Sequence, residues 1–209
     1  MKTGILFDLD GTLLDTLADL HDSVNHTLAY FGYPQRTLEE VRLFVGNGAR
    51  RLMDQAVPEG VDSEPAFAYF QSYYRDHCQI KTKPYDGIPE ALEQLKKKYP
   101  IAIVSNKPDG AVKVLCAQYF PGIFALGEAP DCPRKPAPDM VRKGMAAIGA
   151  ETCIYVGDSD VDILTARNAG VPCLSVLWGF RKKEEMDVTD FCEHTAEMAN
   201  KLEEMIHGQ

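Results

Sequence analysis

The apolar positions follow two rhythms along the chain. Ile5, Leu6 and Phe7 form a short run closed by Asp8-Leu9-Asp10-Gly11, the pattern of a buried strand in a parallel sheet. Leu17, Leu20, Val24, Leu28 and Phe31 then recur at helical spacing up to Gly32. Thr37-x-x-Glu40 reads as a capping box for a second helix through Val41 and Phe44. The Gly46-Asn47-Gly48 loop can open a third helix, and Ser63 is the expected cap of a fourth, with Phe67, Phe70 and Tyr74 on one core-facing stripe. No strand is expected from about Asp15 to Pro84.

Beyond Pro84 helix and strand alternate. The pattern predicts a helix from Pro89 through Leu95, a strand over Ile101 to Val104, a helix over Asp109 to Tyr119, and a weaker strand over Ile123 to Leu126. A helix from Pro138 to Gly149 follows, then a strand over Cys153 to Val156 and a helix over Asp160 to Asn168. The last clear strand is expected over Cys173 to Trp178, before a final amphipathic helix carrying Met198, Leu202 and Met205. Such alternation predicts an α/β fold with a doubly wound parallel sheet. Residues 1–14 and 85–209 would form that domain, and residues 15–84 a small helical insertion lodged after its first strand.

Composition narrows the classes. A net charge of −9 argues against nucleic acid or an anionic membrane as partner, since both need a basic face. No apolar stretch approaches the roughly 18 residues of a membrane span, and no signal-peptide pattern opens the chain, so the cytoplasm is the expected address. The six cysteines lack Cys-x-x-Cys spacing, and Cys153 and Cys173 read as small buried hydrophobes. The five histidines lack metal-ligand spacing and read as surface or packing residues.

The chemistry gathers where strands end in polar residues: Asp8 and Asp10 after the first, Ser105-Asn106 after the second, and Gly157-Asp158-Ser159-Asp160-Val161-Asp162 after a later one, with Arg134-Lys135-Pro136 before a helix. In open α/β sheets that edge is where ligands bind. Each piece alone is an ordinary turn. Together, in this order, they resemble the four signature motifs of the haloacid dehalogenase-like (HAD) phosphatase superfamily, and the resemblance covers the whole chain.

That resemblance implies a Rossmann-like core with a helical C1-type cap over residues 15–84. It makes Asp8 the nucleophile that forms an aspartyl-phosphate and Asp10 the acid that protonates the leaving oxygen and then activates water. The dehalogenase branch lacks an acid at the place of Asp10, so the chain tips towards phosphate chemistry. Lys135, Thr12, Ser105 and Asn106 would meet the phosphoryl group. A carboxylate approaching a phosphate meets repulsion of roughly 4 kcal/mol at ~4 Å and an effective dielectric near 20, which a divalent cation removes. Asp8, Asp158 and the backbone carbonyl of Asp10 are the implied Mg2+ ligands. Asp162, one turn beyond Asp158, more naturally orients a metal-bound water or Lys135.

In the cap, Gly46, Asn47, Gly48 and Arg50 are the candidate specificity loop, because glycines permit close approach and arginine suits a second anionic group. A helix start followed by two solvated arginines explains the same residues. Gly179 is either a point of close backbone approach to the site or a plain strand-exit turn. Val45 to Ala49, Ser105-Asn106-Lys107-Pro108, Arg134-Lys135-Pro136 and Trp178-Gly179-Phe180 look most like the phosphoglycolate phosphatase branch. Pyrophosphatases, nucleotidases and sugar-phosphate phosphatases share these lesser motifs. The absence of lysine between Asp15 and Ile80 disfavours phosphonatases, and a β-phosphoglucomutase-like mutase or a non-catalytic phosphate-binding module are the remaining alternatives. The expected partner is a small phosphorylated metabolite, bound by a monomer or homodimer.

Overall fold

The computed structural model describes residues 2–208. Six parallel strands form one sheet: β1 (Thr3–Phe7), β4 (Ile101–Pro108), β5 (Phe124–Glu128), β6 (Thr152–Gly157), β7 (Cys173–Val176) and β8 (Asp190–Cys192), in the order β5-β4-β1-β6-β7-β8. The chain builds outward from β1 through β4 to β5, then crosses back to lay β6 on the other flank of β1. The winding direction therefore reverses at β1, and the crevice beyond its carboxyl end is the ligand position of a doubly wound sheet. Phe7 stands level with Ile103 of β4 and Val156 of β6, so the residues just past these three positions emerge side by side.

Alternation along the strands feeds two apolar layers. Ile5, Phe7, Ile103, Ile154 and Val156 join one core cluster, while Leu6, Val104, Cys153 and Tyr155 join another. On the flanks lie α5 (Ile88–Leu95), α6 (Asp109–Tyr119), α7 (Asp139–Ile148), α8 (Asp160–Ala169) and α9 (Thr195–His207).

Between β1 and α5 the chain forms α1 (Leu17–Tyr30), α2 (Leu38–Phe44), α3 (Gly48–Ala56) and α4 (Glu64–His77). Here α1 packs on α2 and α4, and α3 on both of those and on β4. The capping box forms as the spacing predicts, Glu40 N–H donating to Thr37 Oγ1 at 3.2 Å and Thr37 N–H to Glu40 Oε2 at 2.7 Å. Leu20, Leu52, Phe70 and Tyr74 belong to the same apolar cluster as Ile5 and Phe7, so the helical layer is seated on one face of the sheet.

The structure corrects the expected elements in four places. The helical stretch is closed at its base by an antiparallel ribbon of β2 (Leu14–Asp15) and β3 (Lys83–Pro84), where no strand was expected. A further strand, β8, follows β7, which stops at Val176 rather than Trp178. β4 runs on through Ser105 and Asn106. Ser63 stands at the N-cap of α4, but its hydroxyl donates to Asp54 and leaves the helix uncapped by its side chain. Among the histidines, His26 and His77 stack on Tyr73 with ring centroids 3.8 Å apart, as packing residues. Cys153 is buried and Cys173 half-buried. Among the described residues no helix is long and apolar enough to cross a membrane.

Candidate active site

Asp8 leaves β1 at the crevice, its N–H donating to Val156 O at 2.9 Å. Across from it, Asp158 leaves β6 and is wrapped by backbone. Phe180 N–H donates to Asp158 Oδ2 at 2.7 Å, and Thr12 Oγ1 donates to Oδ1 at 3.3 Å. Two glycines make that possible. A Cβ on Gly11, whose φ is +81°, would lie 2.2 Å from Asp158 Oδ2, and one on Gly179 would lie 2.3 Å from Asp158 Cβ. Of the two readings of Gly179, close backbone approach is the one realised.

Lys135 is the buried hub. Its Nζ lies 2.9 Å from Asp8 Oδ1, 2.8 Å from Asp162 Oδ1 and 3.0 Å from Tyr155 OH. Asp162 Oδ2 accepts from Ser159 N and Oγ at the start of α8. Both Asp162 oxygens are thereby engaged, which leaves the carboxylate oriented towards Lys135. Burial opposes charge on Lys135, but Asp162 and Asp8 outweigh it and hold the ammonium well above the ordinary lysine range. Asp8 Oδ1, despite that ion pair, has no well-aligned hydrogen bond.

Asp8, Asp158 and Asp162 bring carboxylate oxygens within 4.8 Å of one another. One ammonium faces three carboxylates, an excess of negative charge in a dry place. The carboxyl groups register it: burial, then the neighbouring charges, pushes Asp8 up to about 7 against the pull of Lys135, and burial with Asp162 and Asp8 raises Asp158 well above its usual range. Oxygen donors, excess anionic charge and an acceptor left without an aligned donor are the conditions for a hard divalent cation. Asp10 is outside this trio, its side chain turned instead to Lys107.

The cavity over these groups is lined by Asp8, Asp10 and Ser105 below and by Ala49, Leu52 and Phe70 above. Its volume is about 40 Å³, on a scale where one water takes roughly 10–15 Å³, so only a small molecule fits as the helices stand.

The sequence pattern of the haloacid dehalogenase-like hydrolases matches residues 5–176. The chain belongs to that family. Phosphoglycolate phosphatase 1 of Pseudomonas aeruginosa is 35% identical over 190 residues, covering 84% of this chain and 70% of the relative. The phosphoglycolate phosphatase of Aquifex aeolicus is 34% identical, covering 85% of this chain and 86% of its own. Among solved structures, a candidate phosphoglycolate phosphatase of Lactobacillus delbrueckii subsp. bulgaricus superposes with a TM-score of 0.90 at 35% identity, over 97% of this chain and 99% of that one. The protein is therefore an enzyme, a phosphoric monoester hydrolase.

Within this haloacid dehalogenase-like hydrolase the sequence-derived residues divide. Asp8, Asp10, Ser105, Asn106, Gly46, Gly48 and Asp158 line the cavity. Thr12 is buried behind it on Asp158. The Asn106 amide is spent on structure, Nδ2 donating to Gly46 O and Lys135 O at 3.0 Å each and Oδ1 accepting from Lys135 N–H at 2.8 Å. It joins the glycine loop to the Lys135 loop rather than standing free for a phosphoryl oxygen. Arg50 turns away, pairing with Glu64 and with Asp54 and lying over the Phe67 ring; Asn47 is exposed outside the cavity.

Three residues at the site were missed. Lys107, with a side chain 1% exposed, ion-pairs with Asp10 at 3.0 Å and donates to Tyr74 OH at 2.6 Å. Tyr74 was assigned to core packing, which it also does. Arg181 donates to the carbonyls of Arg42, Leu43 and Val45, while Arg42 reaches back to Phe180 O and to Glu185. The available signal for Lys107 was its place directly after Ser105-Asn106, at the strand end where the other site residues gather.

Proposed function

We propose that the protein is a magnesium-dependent phosphatase that hydrolyses a small phosphomonoester through an aspartyl-phosphate on Asp8, with phosphoglycolate as the favoured substrate. The observation that carries this reading is the position of Asp8 at the end of β1, facing Lys135 at 2.9 Å with Asp158 beside it. Asp8 attacks phosphorus as the bond to the leaving oxygen breaks, and that oxygen takes its electron pair and a proton from Asp10. Asp10 then takes a proton from water, which attacks the aspartyl-phosphate to give inorganic phosphate and restore Asp8. Lys135 faces the charge on the transferring group, and the Ser105 hydroxyl, at the cavity wall, is free to donate to it. Asp162 keeps the ammonium in place.

Asp8, Asp158 and the carbonyl of Asp10 would hold Mg2+, which when bound neutralises the repulsion between carboxylate and phosphate. Residues 15–84 act as a cap that excludes water, and the Arg42 and Arg181 contacts are what tie it down. The six free cysteines suit a reducing cytoplasm, where the enzyme works as a monomer or homodimer.

The test is phosphate release from phosphoglycolate, pyrophosphate, nucleoside monophosphates and sugar phosphates, with magnesium and with a chelator. The expected result is chelator-sensitive turnover with the highest kcat/KM on phosphoglycolate. A flat profile would discard the substrate and keep the chemistry; turnover unaffected by chelation would discard the chemistry.

A further inference from the structure

We infer that Lys107 is the residue that recognises the substrate's own carboxylate, so that the enzyme selects two-carbon phosphate esters bearing one. The inference deepens the phosphatase reading above and rests on it. Lys107 projects from β4 into the cavity wall, buried. Its Nζ contacts Asp10 Oδ1 at 3.0 Å and Oδ2 at 3.2 Å, and Tyr74 OH at 2.6 Å. An ammonium has three donors, and here they meet the two oxygens of the one Asp10 carboxylate and the Tyr74 hydroxyl; when Asp10 turns one oxygen to the leaving group, the donor that oxygen held passes to the ligand.

The other cations near the cavity are held by groups other than Asp10. Lys135 is held between Asp8 and Asp162, on the phosphoryl side. Arg181 lines the cavity and is oriented by giving three of its five donors to carbonyls of the helical layer. The rest of the upper wall is apolar, with Leu20, Val45, Ala49, Leu52 and Phe70. A carboxylate entering beside Asp10 meets Lys107, the cation already in contact with that acid.

Its distance sets the length of the substrate. The leaving oxygen must lie within hydrogen-bond reach of Asp10, and Asp10 lies 3.0 Å from Nζ. In a CH2–COO− ester the carboxylate oxygens stand about 3 Å from the ester oxygen. A carboxylate one methylene from the leaving oxygen can therefore bond to Nζ while Asp10 serves that oxygen. With a longer leaving group the charge overshoots Nζ and meets the apolar wall, and a neutral one leaves the donor unused. Tyr74 holds Nζ from the helical side, so residue 74 positions the reading group without touching the phosphoryl site.

The experiment compares kcat/KM for phosphoglycolate with that for ethyl phosphate, which keeps the two-carbon frame without the carboxylate, in the magnesium-loaded wild type, Lys107→Met, Lys107→Arg and Tyr74→Phe. We expect the wild type to favour phosphoglycolate by about 100-fold or more, the discrimination available to a site built around a polar group of its substrate. Lys107→Met should bring that ratio close to one, Lys107→Arg should restore part of it, and Tyr74→Phe should lower it a few-fold. If Lys107→Met slows both substrates by the same factor, Lys107 only positions Asp10 and the inference is overturned. A wild-type ratio near one also overturns it, while leaving the phosphatase reading intact. No turnover of any phosphomonoester by folded wild type would instead sink that reading, and this one with it. Should Lys107→Met fail to fold, judged by circular dichroism, the wild-type ratio and Tyr74→Phe decide.

Discussion

On the sheet side of the cavity, Asp8, Asp158, Asp162 and Lys135 are buried charges from three chain segments, fixed by backbone: Asp158 by Phe180 N–H, Asp162 by Ser159, and Lys135 by Asn106. On the helical side the wall is largely apolar, and its polar links to the sheet side include the Tyr74 bond to Lys107, the Asn106 bond to Gly46 O, the Arg42 bonds to Phe180 O and Glu185, and the Arg181 bonds to the end of α2. Rigid placement of charge is what stabilising a transition state requires. A surface that must admit and release a molecule needs contacts few enough to break. The difference teaches where each kind of substitution should act: on the sheet side through turnover and metal affinity, on the helical side through KM and substrate choice.

The sharpest way to break the comparison is Asp8→Asn. It should lower kcat by about 10⁴-fold or more, the scale seen when a nucleophile is removed, in a protein that remains folded by circular dichroism. Retention of full magnesium-dependent turnover would remove Asp8 from its assigned place.

Next in size is the stability of the charged side. Magnesium at about 100 times its dissociation constant should stabilise the fold by roughly 2.7 kcal/mol, which for a chain of this size is about 5–10 °C in melting temperature. In Asp158→Asn the gain should shrink to a fraction of that. Without metal, the sign is set by Asp8, raised from 3.8 to about 7. The folded protein holds that proton more tightly than the unfolded chain, so the contribution is complete below about 3.8 and is lost as pH rises through about 7. The metal-free melting temperature should therefore fall between pH 5 and 8, and magnesium should flatten that slope. A metal-free melting temperature that rises over this range would contradict the burial of Asp8.

Smaller effects belong to the helical side. Arg181→Ala removes donors from three carbonyls of the α2 end, and we expect KM to rise several-fold with kcat changed less, on the scale of one or two charge-assisted hydrogen bonds. The smallest effect is expected of Arg50→Ala, because its partners are Glu64 and Asp54 at the surface. Its kcat/KM should stay within about 2-fold, and stability within about 0.5 kcal/mol. A large KM effect there would return Arg50 to the substrate.

Elements with many residues in register with their period were legible. Helix α6 runs over Asp109–Tyr119 as its pattern predicts, and the Thr37 to Glu40 box opens α2. The misses are short or lack periodicity. Strands β2 and β3 have two residues each and β8 has three, too few for alternation to appear. They form because Leu14 meets Pro84 and Leu174 meets Asp190 in space. The fate of single side chains was equally hidden. Lys107 and Arg50 are both cations after a turn-like motif, yet one is buried against Asp10 and the other lies at the surface with Glu64.

The sequence by itself determined the class of fold, the order of its longer strands and helices, and which strand ends carry acid, because hydrophobic periodicity and strand-end chemistry are local properties. It also carried the family, through motifs lying at those ends. Only the tertiary structure decided which of these polar groups share a cavity and which are already spoken for. Packing brought Lys107 of β4, Tyr74 of α4 and Asp10 of the β1 loop to one point from 97 and 33 residues away. It also spent Asn106 and Arg181 on joining the two sides. A buried polar group must find its partner wherever the fold supplies one, and the fold is not bound to supply it nearby in the chain.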